Sequence, residues 1–362
     1  MKKLDWYILR KLLVTFFFCL LLFTVIAVAV DSSEKADDFV KSGFSTTQLI
    51  SAYWSGFIPW IWGLLFPLFV FIASIFFTSQ MATRSEIIAI LASGTSYNRF
   101  LRAYLVGGIL LGLMLYYANR IIIPKGNEKR GDFQTRYVDQ NNPSTFNDRK
   151  SMTYRRADTN TYVGFKDYDT GSKTAMGFFM DRIKGDKISY NLRADLLRWD
   201  TAKKKWQAQN AVERIVDSMG ERVQLLPEKF LDLSIKPDEL KKDQYLKDKL
   251  TTPELKRFIR SQSMRGSEGL NTYKVELYRR TATPAAVLLL TLIGAVIASR
   301  KTRGGSGLHL ALGFIIAALF VLSDRFSTVF STNAGLPPLL AAWIPNILFT
   351  AVAYWLYRKT PK

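Results

Sequence analysis

Six long apolar runs alternate with polar segments along this 362-residue chain. They are Leu12–Val30, Phe57–Thr78, Phe100–Ile123, Pro284–Ala298, Leu308–Leu322 and Leu339–Tyr357. A helix needs about 20 apolar residues to cross the bilayer core. Each run therefore predicts a transmembrane helix, although the fourth and fifth need flanking turns to reach that length. Six crossings place both termini on one side of the membrane and the polar stretch from about Pro124 to Arg265 on the other.

The polar stretch between the two groups of spans has the alternating pattern of short antiparallel strands. The strand-like segments are Thr161–Phe165, Gly177–Ile183, Ile188–Trp199, Lys205–Val216 and Arg222–Ile235. Strands at this spacing, separated by turn residues, favour an antiparallel sandwich or jelly roll. Near its end the stretch turns helical, because Pro237–Leu240 and Thr252–Leu255 both read as helix starts with an early proline.

The predicted fold is an α-helical membrane protein of six transmembrane helices with an all-β, jelly-roll-like domain inserted between helices 3 and 4. We assign residues 1–123 to the first transmembrane half, 124–265 to the inserted domain and 266–362 to the second half.

Positive charge decides the predicted orientation. The basic residues on the side of the termini are Lys2, Lys3, Arg10, Lys11, Arg84, Arg99, Arg102, Arg300, Lys301, Arg303, Arg358, Lys359 and Lys362, against Lys35, Lys41 and Arg325 in the opposite short loops. Short cytoplasmic loops are enriched in Lys and Arg, so we expect cytoplasmic termini and an exoplasmic insert. The net charge of +20 then reflects topology and not nucleic-acid binding, which would need a basic face in a soluble domain.

The first run has a second interpretation, a cleaved signal peptide, because Ala27-Val28-Ala29 resembles a cleavage site. Its apolar length and the five spans that follow favour a retained helix.

The chain offers little for catalysis. One cysteine, Cys19, lies in the first run, and one histidine, His309, lies at the start of the fifth, where a structural role at the interface is expected. The insert contains neither residue type, and no cluster predicts a metal or other cofactor. The chain also lacks a phosphate-binding P-loop motif, so ATP hydrolysis, if it drives the protein, takes place in a separate subunit. We predict a binding or conducting protein and not an enzyme.

The clearest local signal follows the second run. Thr83 and Glu86 have the spacing of a capping box, and Gly94 is placed to end the helix in the left-handed conformation. The result is a helix over about residues 84–93, too short to cross a bilayer, with Ile87, Ile90 and Leu91 on one face. Either it lies as an amphipathic helix on the inner membrane surface, or it docks a cytoplasmic partner with Glu86 as a charged contact.

Several motifs, in this order along the whole chain, resemble the lipopolysaccharide export permeases of the LptF/LptG family. They are Arg84-Ser85-Glu86-Ile87 through Ala92-Ser93-Gly94, Asn119-Arg120-Ile121-Ile122-Ile123-Pro124, Ser234–Leu240, Glu276-Leu277-Tyr278-Arg279-Arg280 before Pro284, and Gly335-Leu336-Pro337-Pro338. Each motif alone is loose, and the specificity lies in their joint order.

The resemblance implies a permease in the bacterial inner membrane that extracts lipopolysaccharide and passes it to a periplasmic bridge protein with a jelly-roll fold. It implies pairing with a second related permease, or a second copy, above a cytoplasmic ABC ATPase dimer. By that match, Arg84 and Glu86 face the ATPase, and Ile87, Ile90 and Leu91 fill its groove. The central domain would be periplasmic.

The resemblance also assigns lipid contacts. The first and fifth spans would line lateral gates, and a basic residue at the outer end of the first span would meet lipid phosphates, with Lys41 the better match and Lys35 the weaker. Asp324 and Arg325 at the end of the fifth span either pair with each other or serve the lateral gate.

Acyl chains would need an apolar path, because exposing each CH₂ to water costs about 0.8 kcal/mol. We predict a groove in the inserted domain lined by Val163, Phe165, Phe178 and Met180; the alternative is that these four residues form a closed core.

Two other functions remain open. One is the permease of an exporter or lipoprotein-release system for another hydrophobic cargo, and such permeases usually carry their large domain after the first span. The other is a static membrane scaffold.

Overall fold

The computed structural model describes residues 3–139, 153–158, 160–169, 172–185, 187–201, 203–217, 220–233, 237, 245–264, 269–300 and 305–359. The chain divides into two compact units. The first contains Met1–Val138, Tyr245–Lys256 and Asn271–Lys362, and the second contains Asp139–Gln244 and Arg257–Leu270. Each unit is described by itself.

Helices make up the first unit. In chain order they are α1 Lys3–Glu34, α2 Ala36–Ser42, α3 Thr46–Leu49, α4 Ser55–Thr83, α5 Glu86–Ala92, α6 Tyr97–Tyr117, α7 Ile123–Phe133, α8 Leu246–Lys249, α9 Thr252–Met264, α10 Leu270–Ala298, α11 Gly305–Asn333 and α12 Pro338–Lys359, with α9 running on past Lys256. Three π-helical turns, Ile50–Trp54, Ala118–Ile122 and Gln134–Val138, join or extend these helices.

Six of the helical segments are long and apolar enough to cross a membrane, which confirms the predicted number. They are Lys3–Glu34, Thr46–Thr83, Tyr97–Val138, Leu270–Ala298, Gly307–Asn333 and Pro338–Arg358. The fourth and fifth spans gain the expected length from polar turns: α10 begins at Leu270, ahead of the apolar run that starts at Pro284, and α11 continues past Leu322 to Asn333.

The spans differ strongly in how much of their surface the chain itself covers. In the most apolar windows of the spans containing α4 and α10, 56% of the residues are buried, against 11% in α1 and 17% in α11. α4 and α10 are in direct contact, where the Ser74 hydroxyl donates to the Thr291 carbonyl at 2.9 Å. These two helices form the centre of the bundle.

The two ends of the bundle are identified by their contacts. We call the end that holds both chain termini the terminal end; there, the Tyr97 and Ser299 hydroxyls lie 3.0 Å apart and the Tyr357 hydroxyl donates to Asn98. The opposite end, where the chain leaves for the inserted segment and returns, is the insert end. There, Asn127 of α7 donates to the carbonyl of Asp248 at 3.0 Å, and Lys249 pairs with Asp132 at 2.9 Å.

The second unit contains one antiparallel sheet. Its strands are β1 Thr153–Asp158, β2 Thr161–Phe165, β3 Asp167–Asp169, β4 Thr174–Lys184, β5 Lys187–Asp200, β6 Lys205–Asp217 and β7 Gly220–Leu231. The order is β1-β2-β4-β5-β6-β7, with β3 also paired to β4. The predicted antiparallel β domain is confirmed, in a jelly-roll-like form where consecutive long strands pair within a single sheet.

The sheet curls around its core. Tyr168 of β3 and Trp206 of β6 have ring centroids 6.4 Å apart. Those strands lie three positions apart along the sheet, a separation of about 14 Å if the sheet were flat. The register aligns Phe178, Ala194, Ala211 and Leu226 across β4 to β7, on the inner face.

The predicted helix start at Thr252 is confirmed in α9, where Glu254 accepts hydrogen bonds from the backbone and hydroxyl of Thr251 at 2.9 and 2.6 Å. The other predicted helix start, at residues 237–240, lies mostly outside the described residues, as does the segment at 234–236.

Candidate functional site

The short helix α5 lies between the second and third spans at the terminal end. Gly94 has a φ of +82° and its N–H donates to the carbonyl of Leu91 at 3.0 Å, which confirms the predicted left-handed helix end. The predicted capping box is wrong. The Thr83 hydroxyl donates to the carbonyl of Ser79 at 2.9 Å, because α4 continues through Thr83 and leaves that side chain no free N–H to cap. Ser85, at φ 59°, makes the turn between the two helices instead.

Glu86 has a partner inside the chain. Its carboxylate accepts a hydrogen bond from the Tyr7 hydroxyl of α1 at 3.2 Å. Arg84 is exposed and Glu86 is half-buried. The first residue of the coupling helix is therefore linked to the first span.

The apolar face of α5 points inward. Ile87 is only 2% exposed and belongs to a cluster with Tyr97 and Phe100, and Ile90 and Leu91 pack against the same cluster. In this conformation these three side chains do not present a surface that could fill a partner's groove, because the chain's own spans cover them. The outward face carries Ile88, which is 54% exposed, together with Ala89 and Ala92.

The two predicted phosphate contacts differ sharply. Lys41, at the end of α2, is exposed, and no ion pair or hydrogen bond joins its side chain to another described residue. Lys35 is half-buried and pairs with Asp31 at 2.7 Å. Its ammonium also donates to the hydroxyl of Tyr53, which in turn donates to the second Asp31 oxygen at 2.9 Å. Lys41 alone of the two has a free ammonium to offer.

A cavity of about 510 Å³ lies inside the bundle at the insert end. Apolar side chains of α4, α10 and α11 line one part of it, namely Leu64, Leu68, Phe71, Leu290, Phe320 and Val321. Charged groups line the other part, namely Lys247, Asp248, Glu276, Arg279, Arg280, Asp324 and Arg325. No sequence motif predicted this cavity, although the charges of Glu276-Leu277-Tyr278-Arg279-Arg280, so close to an apolar run, were a visible signal.

The expected pairing of Asp324 with Arg325 is wrong. Asp324 accepts a hydrogen bond from Arg279 of α10 at 3.0 Å, while the side chain of Arg325, its neighbour on the helix, is exposed and makes no ion pair with a described residue. Arg279 also donates to the Thr328 hydroxyl at 2.6 Å. The pair thus joins the fourth span to the fifth.

Arg280 fixes the returning chain. It is 6% exposed, and its guanidinium donates to the carbonyls of Lys247 and Leu250 at 3.0 and 2.8 Å and to Glu276 at 3.3 Å. Burial, followed by the nearby charge of Glu276, raises the pKa of the Asp248 carboxyl to about 6. The start of α10 therefore holds the α8 segment against the cavity.

The four predicted groove residues lie together in the β domain. Val163, Phe165, Phe178 and Met180 are 2–5% exposed and share one cluster, in which Val163 pairs directly with Met180 across β2 and β4. The cluster is a continuous apolar interior; whether a lipid reaches it stays a prediction.

The remaining predictions concern cofactors and His309. No group of three or more His, Cys, Asp or Glu side chains suited to a metal ion occurs among the described residues. The ring of His309 is buried, and its Nε2 lies 2.9 Å from the carbonyl oxygen of Arg300, a contact of a structural kind.

These features define a multi-pass membrane protein with an inserted antiparallel β domain and no catalytic centre in the part of the chain that is described. Residues 6–359 match the family model described as lipopolysaccharide export system permease LptF/LptG. The chain belongs to the LptF/LptG family, as its motif order indicated, and is thereby a transporter component. No curated protein sequence matches the chain.

Proposed function

We propose that this chain is a permease subunit of an ATP-driven transporter that extracts lipopolysaccharide from the bacterial inner membrane and passes it to a periplasmic bridge protein. The observation that supports this most directly is the match to the permease family over nearly the whole chain. The alternative, an exporter or lipoprotein-release permease, fits less well, because the β domain here follows the third span and not the first.

The orientation proposed is the one that the basic residues favour, with cytoplasmic termini and a periplasmic β domain. α5 then lies at the cytoplasmic surface, where an ATPase dimer would dock. Since Ile87 packs inside the bundle, the proposed contact surface is the outer face of α5, formed by Arg84, Ile88 and Ala92. Glu86 would act at the rim of that surface, linked to the first span through Tyr7.

The apolar surfaces of α1 and α11 support pairing with a second permease. Both spans keep large outward side chains, including Phe18 at 66% and Phe314 at 56% exposure. Lateral gates for lipid would form along these two helices, and Lys41 would meet a lipid phosphate at the outer end of the first.

The β domain would continue the apolar route and contact the bridge protein. Among the described residues β7 pairs only with β6, and its outward side chains Val223 and Leu225 are 63% and 78% exposed. An edge of this kind can take a further strand from another β domain. Lipid tails would then pass along the inner face, where Val163 and Phe178 lie.

The proposal is tested by depleting the protein and following newly made lipopolysaccharide. Accumulation in the outer leaflet of the inner membrane is expected; normal delivery to the outer membrane would contradict the proposal.

Coupling is tested with Glu86→Lys in the reconstituted complex. We expect ATP hydrolysis to continue while lipid release falls at least tenfold. Tyr7→Phe is the matched control, because it removes the hydrogen bond to Glu86 but keeps the carboxylate. Unchanged release by Glu86→Lys would remove Glu86 from coupling, and equal losses in both variants would assign the effect to the link with the first span.

A further inference from the structure

The cavity at the insert end lies within a single chain. Its walls come from α4, α6, α7, α8, α10, α11 and α12, so no second subunit is needed to form it. Its volume of about 510 Å³ falls within the range of about 300–1,000 Å³ that small-ligand sites occupy. The cargo route proposed above, along the outer faces of α1 and α11, does not use it.

The polar part of the cavity is suited to an anion. Arg279 spends its terminal nitrogens on Asp324, Thr328 and Glu276, but within the described part of the chain its buried Nε has no hydrogen-bond partner. A buried donor left unpaired costs about 1–3 kcal/mol, which an acceptor oxygen from a ligand would recover.

The charge of the lining has the same tendency. Four basic and three acidic side chains surround the cavity. The pKa of Asp248, raised to about 6, weakens the acidic side further whenever that carboxyl takes up a proton. Phosphate oxygens are well matched to a guanidinium, which binds them through directed, charge-assisted hydrogen bonds.

The apolar part of the cavity is suited to a hydrocarbon chain and is reached from the side. Leu68, Phe71 and Leu290 form its floor. At its mouth, Leu64 of α4 and Val321 of α11 line the cavity yet are 47% and 46% exposed on the bundle surface. A chain from the surrounding bilayer can therefore enter between α4 and α11 without contact with water.

We propose that this cavity binds one acyl chain of a phosphate-bearing lipid, with the phosphate on Arg279 and the chain on the floor formed by α4 and α10. Its size suits one chain of a membrane phospholipid and not the several chains of the export cargo. The inference does not depend on lipopolysaccharide export, since it concerns the isolated chain.

Native mass spectrometry of the full chain in mild detergent tests the proposal. The probes are phosphatidylglycerol, the phosphate-free diacylglycerol with the same chains, and inorganic phosphate. We expect the unaltered protein to retain one phosphatidylglycerol, to retain diacylglycerol at least fivefold less, and to bind inorganic phosphate weakly.

Two variants address the two parts of the cavity. Arg279→Gln removes the charge, and Val321→Trp obstructs the mouth; each should lower phosphatidylglycerol retention at least fivefold. Leu322→Trp is the matched control for the mouth, because Leu322 is 50% exposed at the next position of α11 and does not line the cavity. Arg102→Gln is the control for charge, as an exposed arginine of the same bundle outside the lining.

Thermal unfolding in the same detergent verifies that each variant folds. If Arg279→Gln does not fold, Arg279→Lys and the pair of tryptophan variants decide. Equal lipid retention by Val321→Trp and Leu322→Trp would overturn the proposal. Retention of diacylglycerol equal to that of phosphatidylglycerol would overturn the role of Arg279, and tight inorganic phosphate binding without lipid retention would overturn the acyl-chain site.

Discussion

The central helices α4 and α10 and the peripheral helices α1 and α11 have comparable apolar character but opposite surroundings. More than half of the central windows are buried, against 11% of α1 and 17% of α11. In water such exposure would drive collapse, but lipid tails solvate an apolar side chain about as well as protein does. Hydrophobicity therefore places all four helices in the membrane and does not decide which of them pack together.

Polar contacts hold the peripheral helices to the bundle at both ends. The ties of α1 are Asp31–Lys35–Tyr53 at the insert end and Tyr7–Glu86 at the terminal end. Those of α11 are Asp324–Arg279 at the insert end and His309–Arg300 at the terminal end. Packing of small residues unites the centre, whereas hydrogen bonds and ion pairs fix the periphery, and four predictions test this contrast.

The largest effect is expected at the centre, for Gly294→Leu. A Cβ at Gly294 would lie 3.0 Å from the Ser74 Cβ and 3.2 Å from the Phe71 ring. A leucine there would push α10 away from α4 and lower the free energy of unfolding by about 3 kcal/mol. Thermal unfolding in detergent measures it.

Gly307→Leu is the control for that substitution, because nothing lies within 4 Å of a Cβ at Gly307 in α11. Similar losses in the two glycine variants would contradict the contrast between the central and peripheral helices.

A smaller effect is expected for Lys35→Met. The side chains of Lys35 and Asp31 are 16% and 12% exposed, so the substitution leaves a mostly buried carboxylate with only Tyr53 as partner. We expect a loss of about 2 kcal/mol in the free energy of unfolding. Lys41→Met, on an exposed lysine nearby, should leave stability unchanged. A neutral result at Lys35 would mean that this tie does not hold α1.

Asp324→Asn should have an effect of about 1 kcal/mol, because the pair with Arg279 is about a quarter exposed and Thr328 remains as a partner. A broader distance distribution between spin labels on α10 and α11 is also expected. Arg325→Gln is the neighbouring control, and equal broadening in the two variants would argue against a specific tie.

The smallest effect on stability is expected for Phe18→Ala, below about 0.5 kcal/mol, because that ring is 66% exposed on α1. The isolated chain should unfold at the same temperature as the unaltered protein. Co-purification with a second permease should nevertheless decrease if α1 forms the pairing surface. A large loss of stability in the isolated chain would show that the α1 surface is not free.

Much of the fold was visible in the sequence because local pattern dictates it. The alternation at Thr161–Phe165 matches β2, and the Lys205–Val216 segment matches β6 to within one residue. The apolar runs marked all six spans but not their ends, since the polar turn before Pro284 continues α10. Periodicity also showed which face of α5 is apolar, but not that Ile87 turns toward the chain's own spans.

The charged contacts could not be predicted because they join residues distant in sequence. Asp324 has an arginine directly beside it, yet its partner is Arg279 of another helix. Successive residues on a helix point about 100° apart, whereas packing of α10 against α11 brings the other arginine within reach. Lys35 was likewise a plain interfacial lysine until Tyr53 was known to lie beside it.

The segments that lead out of the bundle and back into it are fastened to each other by Asn127–Asp248 and Lys249–Asp132. Everything between them is thus an excursion that starts and finishes at one clasped neck. A relative's β domain could be exchanged as a cassette at that neck while the membrane scaffold kept its own clasp, so the two parts of the gene are free to diverge at different rates.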